Sequence, residues 1–242
     1  MSGVLIYTEA EAKRNAFAAE KFKTELGVQL VTPDYTGPAD FVINRTNQPE
    51  VGRRFESRGI RVFNSAKFSA LANDKEKCYR FMAQNGIPIL PIDYKTVPLV
   101  VKPKNGKGGR DVRLITKKED IPAKNNDLIF QKAASDLGRD LRVWIIGGKI
   151  ITSILRISKT DFRSNYCLGG EALPYTLSAA EKQKIQHIIS LVDGDYYGMD
   201  FVFEDGEIIF NELEDTVGAR MVYDKTNIDI LKLYCNYIKS ML

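Results

Sequence analysis

Carboxylates inside an apolar strand need partners, and the segment from Gly198 to Asp215 carries several of them. Gly198-Met199-Asp200 and Asn211-Glu212-Leu213-Glu214-Asp215 flank the turn signal Glu204-Asp205-Gly206-Glu207, with a short apolar run on either side of it. This pattern predicts a β-hairpin. Side chains alternate across a strand, so Glu212 and Glu214 share a face. Asp200 joins that face only if the turn has an odd number of loop residues, for example a three-residue loop with Gly206 left-handed and bulged. A two-residue Asp-Gly turn sends Asp200 to the other side. Three carboxylates on one face repel each other unless a cation sits among them, and an all-oxygen donor set suits Mg2+ or Mn2+. The alternative is a solvated acidic edge.

A second segment, Leu99 to Ile115, reads as strand, glycine-rich loop, strand. Gly106, Gly108 and Gly109, mixed with Lys102, Lys104, Lys107 and Arg110, make a flexible, positive lid able to close over phosphates. No Ser or Thr follows a Gly-Lys pair, and a strand rather than a helix follows the loop, which excludes a Walker A motif and a dinucleotide fingerprint. Alone, the loop reads equally as an exposed hairpin tip; beside the acidic hairpin it becomes half of a nucleotide site. Lys102 interrupts an apolar strand, where a lysine needs a partner, so a buried phosphate contact has its own physical reason.

The chain has 242 residues, 44% of them hydrophobic, which is enough for one compact unit with subdomains. Its 35 basic and 31 acidic residues are interspersed, leaving no nucleic-acid stripe, no basic membrane helix and no apolar run of spanning length. The apolar start is too short for a signal peptide, so a cytoplasmic location is expected. Cys78, Cys167 and Cys235 show no metal-ligand spacing and read as reduced thiols.

Near the amino terminus, strand 4–7, a helix over 9–26 stopped at Gly27, strand 28–31 and strand 40–43 predict a small α/β unit. Arg45 follows the last of these strands, at the carboxyl end where ligands of open α/β sheets gather, and is a candidate for holding a substrate carboxylate. Two helices are expected over 65–85, the second capped by Asn73 with Glu76 three residues on. Further along, 128–131 is a strand, and 141–146 with 149–156 form a hairpin about Gly147-Gly148. Arg142 and Arg156 break those apolar strands. Ser178 with Glu181 opens a helix as a capping box, His187 falls off its buried face, and a last helix runs over about 227–242.

From about residue 40 to 223 the chain resembles the RimK-like carboxylate-amine ligases of the ATP-grasp superfamily. The landmarks, in the family's order, are Asn73-Asp74-Lys75, Pro88-Ile89-Leu90-Pro91, Val101-Lys102-Pro103, the glycine loop, Gln131-Lys132-Ala133, Gly138-Arg139-Asp140-Leu141-Arg142, Asp161-Phe162-Arg163-Ser164-Asn165, Gly169-Gly170, Gly198-Met199-Asp200 and the acidic hairpin. The resemblance implies an α/β (α+β) ATP-grasp fold: a short Rossmann-like unit at 1–64, then subdomains at 65–133 and 134–242 that clamp ATP. It further implies that Lys75 and Lys102 reach the phosphates under a lid of Lys104, Gly106, Gly108 and Gly109, and that Gln131, Lys132 and Ala133 form the adenine hinge, largely through main chain. Asp140 would bind the ribose. Arg142, Arg156 and Arg163, helped by Asn165, would neutralise ATP and an acyl phosphate, while Asp200, Glu212 and Glu214 would hold Mg2+ or Mn2+, two ions in all.

The implied activity is ADP-forming ligation of a small-molecule or peptide carboxylate to an amine through an acylphosphate. A small-molecule kinase on the same fold and a nucleotide-binding module without turnover are the competing classes. Two departures from the family stand out. Glu214 replaces an Asn, and Val217-Gly218-Ala219-Arg220 replaces a Pro-Gly turn, which frees the turn and makes Arg220 a candidate anchor for an acidic substrate. A homodimer through the amino-terminal unit is expected.

Overall fold

The computed structural model describes residues 1–93, 95–106, 108–123, 125–164 and 170–242. Strands β1 (Gly3–Ile6), β2 (Gln29–Val31), β3 (Phe41–Asn44) and β4 (Arg61–Phe63) form a parallel sheet in the order β2-β1-β3-β4. β1 and β3 are buried along their whole length, as central parallel strands require. The helix expected over 9–26 is two, α1 (Glu9–Arg14) and α2 (Ala16–Leu26). Asn15 breaks it by donating from its side chain to the Glu11 carbonyl at 2.8 Å, a local bond that competes with the helix. Gly27 then ends α2 at φ 65°, a left-handed cap. β4 is too short an apolar run to stand out in the sequence. Helix α3 (Pro49–Glu56) connects β3 to it.

Helices α4 (Ala66–Ala72) and α5 (Lys75–Gln84) lead to a three-stranded antiparallel sheet with β5 (Leu99–Pro103) between β6 (Arg113–Ile115) and β7 (Leu128–Lys132). The cap of α5 is Asp74, not Asn73: its carboxylate accepts from the Lys77 N–H at 3.0 Å. Asn73 instead closes α4 and turns its amide elsewhere.

The third sheet is antiparallel, with β8 (Asp136–Ile146), β9 (Lys149–Ile157), β10 (Glu171–Pro174), β11 (Tyr196–Glu204) and β12 (Glu207–Glu214) in the order β10-β9-β8-β11-β12. Leu141, Val143 and Ile145 of β8 pack with Met199 and Phe201 of β11, Tyr79 and Met82 of α5, and Ile185 and Ile188 of α6 (Ala179–Leu191). The Ser178–Glu181 capping box forms, and His187 is exposed. On the other face of β8, Trp144 and Ile146 join Leu5, Phe22 and Phe63 of the parallel unit and Leu231, Tyr234 and Ile238 of α8 (Ile230–Met241) in a second core. The same face carries Asp140 and Arg142 nearer the start of the strand. α7 (Arg220–Lys225), unread in the sequence, precedes α8. Among the described residues no helix is long and apolar enough to cross a membrane.

Asp195, at the start of β11, ties these layers together. Its Oδ1 accepts from Arg61 at 2.5 Å and from the Tyr237 hydroxyl at 2.8 Å. Burial pushes the carboxyl up to about 6 in spite of Arg61 and Tyr237. A carboxyl whose folded pKa is raised keeps its proton longer in the folded state, so this group's contribution to stability falls as pH rises from about 4 to about 6 and is flat above. Asp195→Asn removes that component. Denaturant unfolding of both proteins at pH 4 and pH 7 is expected to show the wild type losing more stability, relative to the variant, between the two.

Candidate active site

The hairpin that carries the acids is closed by a two-residue loop, Asp205-Gly206, with φ 51° and 83°, between paired Glu204 and Glu207. By strict alternation this turn sends Asp200 away from Glu212. A bulge corrects the parity: Phe201 pairs with Phe210, but Asp200 pairs with Glu212, so Asn211 is the extra residue. Asp200, Asn211 and Glu212 all line one cleft, two of them consecutive in sequence. The expected shared face therefore arises, but from a mid-strand bulge and not from an odd-numbered turn.

The cleft lies between the three-stranded and five-stranded sheets and encloses about 920 Å3, part of it open to solvent. Leu90, Val100, Leu137 and Val202 are among its apolar walls. Lys102, 6% exposed, donates from Nζ to the Tyr79 hydroxyl at 2.6 Å and to Asn211 Oδ1 at 3.1 Å. Both partners are neutral, and burial lowers this ammonium to about 8. Lys75 contrasts with it. Burial opposes its charge too, but the Glu212 carboxylate, 3.0 Å away, outweighs that and raises its pKa.

Charged residues line the five-stranded sheet in a ladder. Arg142 grips Asp200 in a fork, Nε to Oδ1 at 2.7 Å and Nη2 to Oδ2 at 2.6 Å, and Arg156 donates to the same Oδ2 at 2.8 Å. Arg156 also forks onto Asp140 at 2.5 and 2.8 Å. Burial works against the Asp200 charge, yet the two guanidinium groups hold it down at about 2. Asp140 goes the other way, raised by burial despite Arg156. Glu212 is lowered, Lys75 overcoming burial, whereas burial raises Glu214 although Arg142 lies 3.3 Å from it.

The glycine loop is latched at two points. Lys75 donates to the Gly106 carbonyl at 2.6 Å, and Arg163, paired with Asp161, donates to the Gly109 carbonyl at 2.9 Å. Gly108 and Gly109 adopt φ 62° and 71°, which an L side chain resists. Lys104 is paired with Glu76 and is not among the cleft lining. Asn165 lies outside the described residues.

At the expected hinge the Lys132 N–H donates to Pro91 O at 2.9 Å and the Ala133 N–H to Pro98 O at 3.2 Å. These donors are used within the chain. Gln131 and Lys132 line the cleft, but Ala133 is buried behind it and Ala134 takes the lining position. Among the described residues no three His, Cys, Asp or Glu side chains gather as a ligand set, and Asp200 is doubly engaged by Arg142 and Arg156. Glu212 and Glu214 remain, facing a small side cavity with Asn73, Lys75, Asn105 and Gly106. Two carboxylates plus phosphate oxygens are a common Mg2+ environment, so the donor set fits that ion with Asp200 in a supporting place.

Arg45 is buried at 7% exposure, donates to Val217 O at 2.7 Å and is absent from the cleft lining. With Trp144 Nε1 donating to Gly218 O at 3.1 Å, it holds the turn that lost its proline, so that turn is not freed. Arg220 is exposed at the start of α7, away from the cleft lining. Sequence reasoning missed Tyr79 and Asp136, and it gave Arg139 and Asn211, although inside its motifs, no role of their own. Arg139 stacks 3.9 Å from the Phe203 ring centre and pairs with Asp136. A Lys placed mid-strand was the signal that could have asked for Tyr79.

The RimK-like ATP-grasp domain matches residues 69–238. An uncharacterized protein of Mycoplasma pneumoniae, an MG011 homolog, is 29% identical over 90% of this chain and 85% of its own length. N-acetylaspartylglutamate synthase A of mouse is 27% identical over 90% of this chain and 66% of its own length. The ATP-grasp ligase PsnB, solved with a minimal precursor, superposes with a TM-score of 0.74 at 17% identity over 100% of both chains, a likeness of fold. With the family domain spanning most of the chain, the cleft and the fold around it belong to a member of the RimK-like ATP-grasp family.

Proposed function

We propose that this protein joins a carboxylic acid to an amine at the expense of ATP, releasing ADP and phosphate through an acylphosphate. The observation that carries this reading is the pairing of a buried, neutrally partnered Lys102 with the Lys75–Glu212 pair across one cleft, under a latched glycine loop. The alternative of a nucleotide-binding module without turnover gives no reason for so costly an array. Residues 1–64, 65–133 and 134–242 would act as the amino-terminal unit and the two halves of the clamp. Buried, unpaired Cys78 and Cys235 suit a reducing cytoplasm, and a homodimer through the amino-terminal unit is part of the proposal.

The substrate carboxylate displaces ADP from the terminal phosphoryl group and becomes the acylphosphate. Lys102 and the loop N–H groups offset charge on the transferred group, and Lys75 keeps Glu212 ionised. Glu212 and Glu214 would hold Mg2+, which supplies Lewis-acid neutralisation of the phosphates. Asp200 and Asp140 occupy the guanidinium forks of Arg142 and Arg156 and so orient them, and the positive charge held there would offset a phosphate or the oxyanion formed when the amine attacks. The amine's nitrogen then replaces phosphate at the carbonyl carbon. No Ser, Cys or His nucleophile is required. Arg45 and Arg220, off the cleft, act on substrate only at a distance, Arg45 through the Val217 turn.

ADP release that requires both an acid and an amine is the direct test, measured with purified protein, ATP, Mg2+ and mixed pools of each; release with a hydroxyl compound alone would indicate a kinase. Glu212→Gln is expected to cut turnover by about 100-fold or more with the circular dichroism spectrum unchanged. Lys102 yields a separate expectation. Its ammonium loses its proton through about pH 8, and phosphates favour the charged form, so ADP affinity should decline above pH 8 and binding near pH 8.5 should take up a proton. Calorimetric titration in two buffers of different ionisation enthalpy reads that proton, and Lys102→Met should abolish it.

A further inference from the structure

Asp215 is the first residue past β12, and its side chain, 3% exposed, lies outside the cleft lining. Its Oδ1 accepts from Asn64 Nδ2 at 2.9 Å, and its Oδ2 accepts from the Ser69 hydroxyl at 2.6 Å and from Asn73 Nδ2 at 2.9 Å. Asn64 also donates to the Asp215 carbonyl at 3.1 Å. Among the described residues these donors are all neutral. A buried carboxylate held only by neutral donors is tolerated while every donor is in place, which makes its geometry exacting.

Both ends of this network enter the site. Glu214 precedes Asp215, and Glu212 stands on the same strand face. Asn73 lies two residues before Lys75, whose ammonium is 3.0 Å from Glu212 Oε2. The chain and these bonds close a ring: Asp215 to Asn73, along the backbone to Lys75, across to Glu212, and along β12 back to Asp215. The ring spans α5 and β12, which belong to different layers, and Asn64 and Ser69 anchor it from the end of β4 and from α4.

We propose that Asp215 is a positioning residue that fixes Lys75 relative to the Glu212–Glu214 pair, and thereby sets the arrangement that accepts a metal-bound nucleotide. This rests on the ligase reading and deepens it. Asp215 touches neither cleft nor ligand, so its loss should spare binding of the bare nucleotide and weaken what Mg2+ adds.

The test is equilibrium binding of ADP, with Mg2+ and with EDTA, to full-length wild type, Asp215→Asn, Asn73→Ala and the double variant, alongside thermal melting. Asp215→Asn is expected to reduce the Mg2+-dependent gain in ADP affinity about tenfold while affinity in EDTA stays within about twofold. The double variant should be no worse than Asp215→Asn alone, because the Asn73 bond acts through Asp215. An unchanged Mg2+-dependent gain overturns the proposal, and so does an equal loss with and without Mg2+, the mark of a merely structural residue. If Asp215→Asn fails to fold, Ser69→Ala decides, because that hydroxyl donates to Asp215 Oδ2 from outside the cleft and the side cavity: a gain reduced about threefold supports the proposal and an unchanged one overturns it. Wild type that binds no ADP at all overturns the ligase reading itself.

Discussion

Along the cleft and its side cavity, Asp140, Asp200, Glu212 and Glu214 stand against Lys75, Lys102 and Arg156, with Arg142 bound to Asp200 just behind. Burying charge is costly unless each group finds an opposite, and seven of these do so at hydrogen-bond or ion-pair distance. Lys102 is the exception, with a hydroxyl and an amide for partners. This cluster is thus balanced in sign but leaves one ammonium without a carboxylate at contact distance, and under the proposed function a phosphate would supply the missing negative charge. A polyphosphate would bring more negative charge than one lysine offsets, and under the proposed function a divalent cation at Glu212 and Glu214 would meet the rest.

The geometry behind this balance depends on one extra residue. The Asp205-Gly206 turn has the left-handed conformations that suit right-twisted strands, and alone it would leave Glu212 and Glu214 on the core side of the sheet with Ile208 and Phe210, opposite to Asp200. The bulge at Asn211 restores the parity and turns two consecutive side chains into the cleft: an amide for Lys102 and a carboxylate for Lys75. A bulge beside a functional site re-aims side chains without lengthening the turn, so the hairpin keeps its tight closure and the site gains a donor set.

How much the chain discloses in advance follows from the range of each interaction. Alternation, capping and turn chemistry are local, so the hairpin about Gly147-Gly148, the Ser178 capping box and the outward His187 could be read from neighbouring residues. The family motifs pointed to the glycine loop, Lys75 and Lys102, and the break in an apolar strand to Arg156, and these line the cleft. What stayed hidden is non-local. Asp200 reads as a free acid until Arg142 and Arg156 arrive from neighbouring strands and occupy its oxygens. Ala133 reads as hinge until Pro98 takes its N–H. Parity in a hairpin fails as soon as one bulge enters, and a bulge leaves little mark in the sequence.

Arg45 shows the same limit in its sharpest form. A guanidinium at the carboxyl end of a parallel strand is placed where substrates gather, yet here it faces inward over the Tyr196 ring, 5.4 Å from its centre, and donates to Val217 O. Neighbouring side chains act in the same way, since Asn47 accepts from the Thr216 hydroxyl, Asn64 holds Asp215, and Trp144 holds Gly218. Four successive residues after the acidic strand are each pinned, three of them by the amino-terminal unit. A proline rigidifies a turn through its own ring; here hydrogen bonds from distant side chains do so instead. The amino-terminal unit is therefore the frame that holds the segment just after Glu212 and Glu214, and under the proposed function it would keep them in register with Lys75.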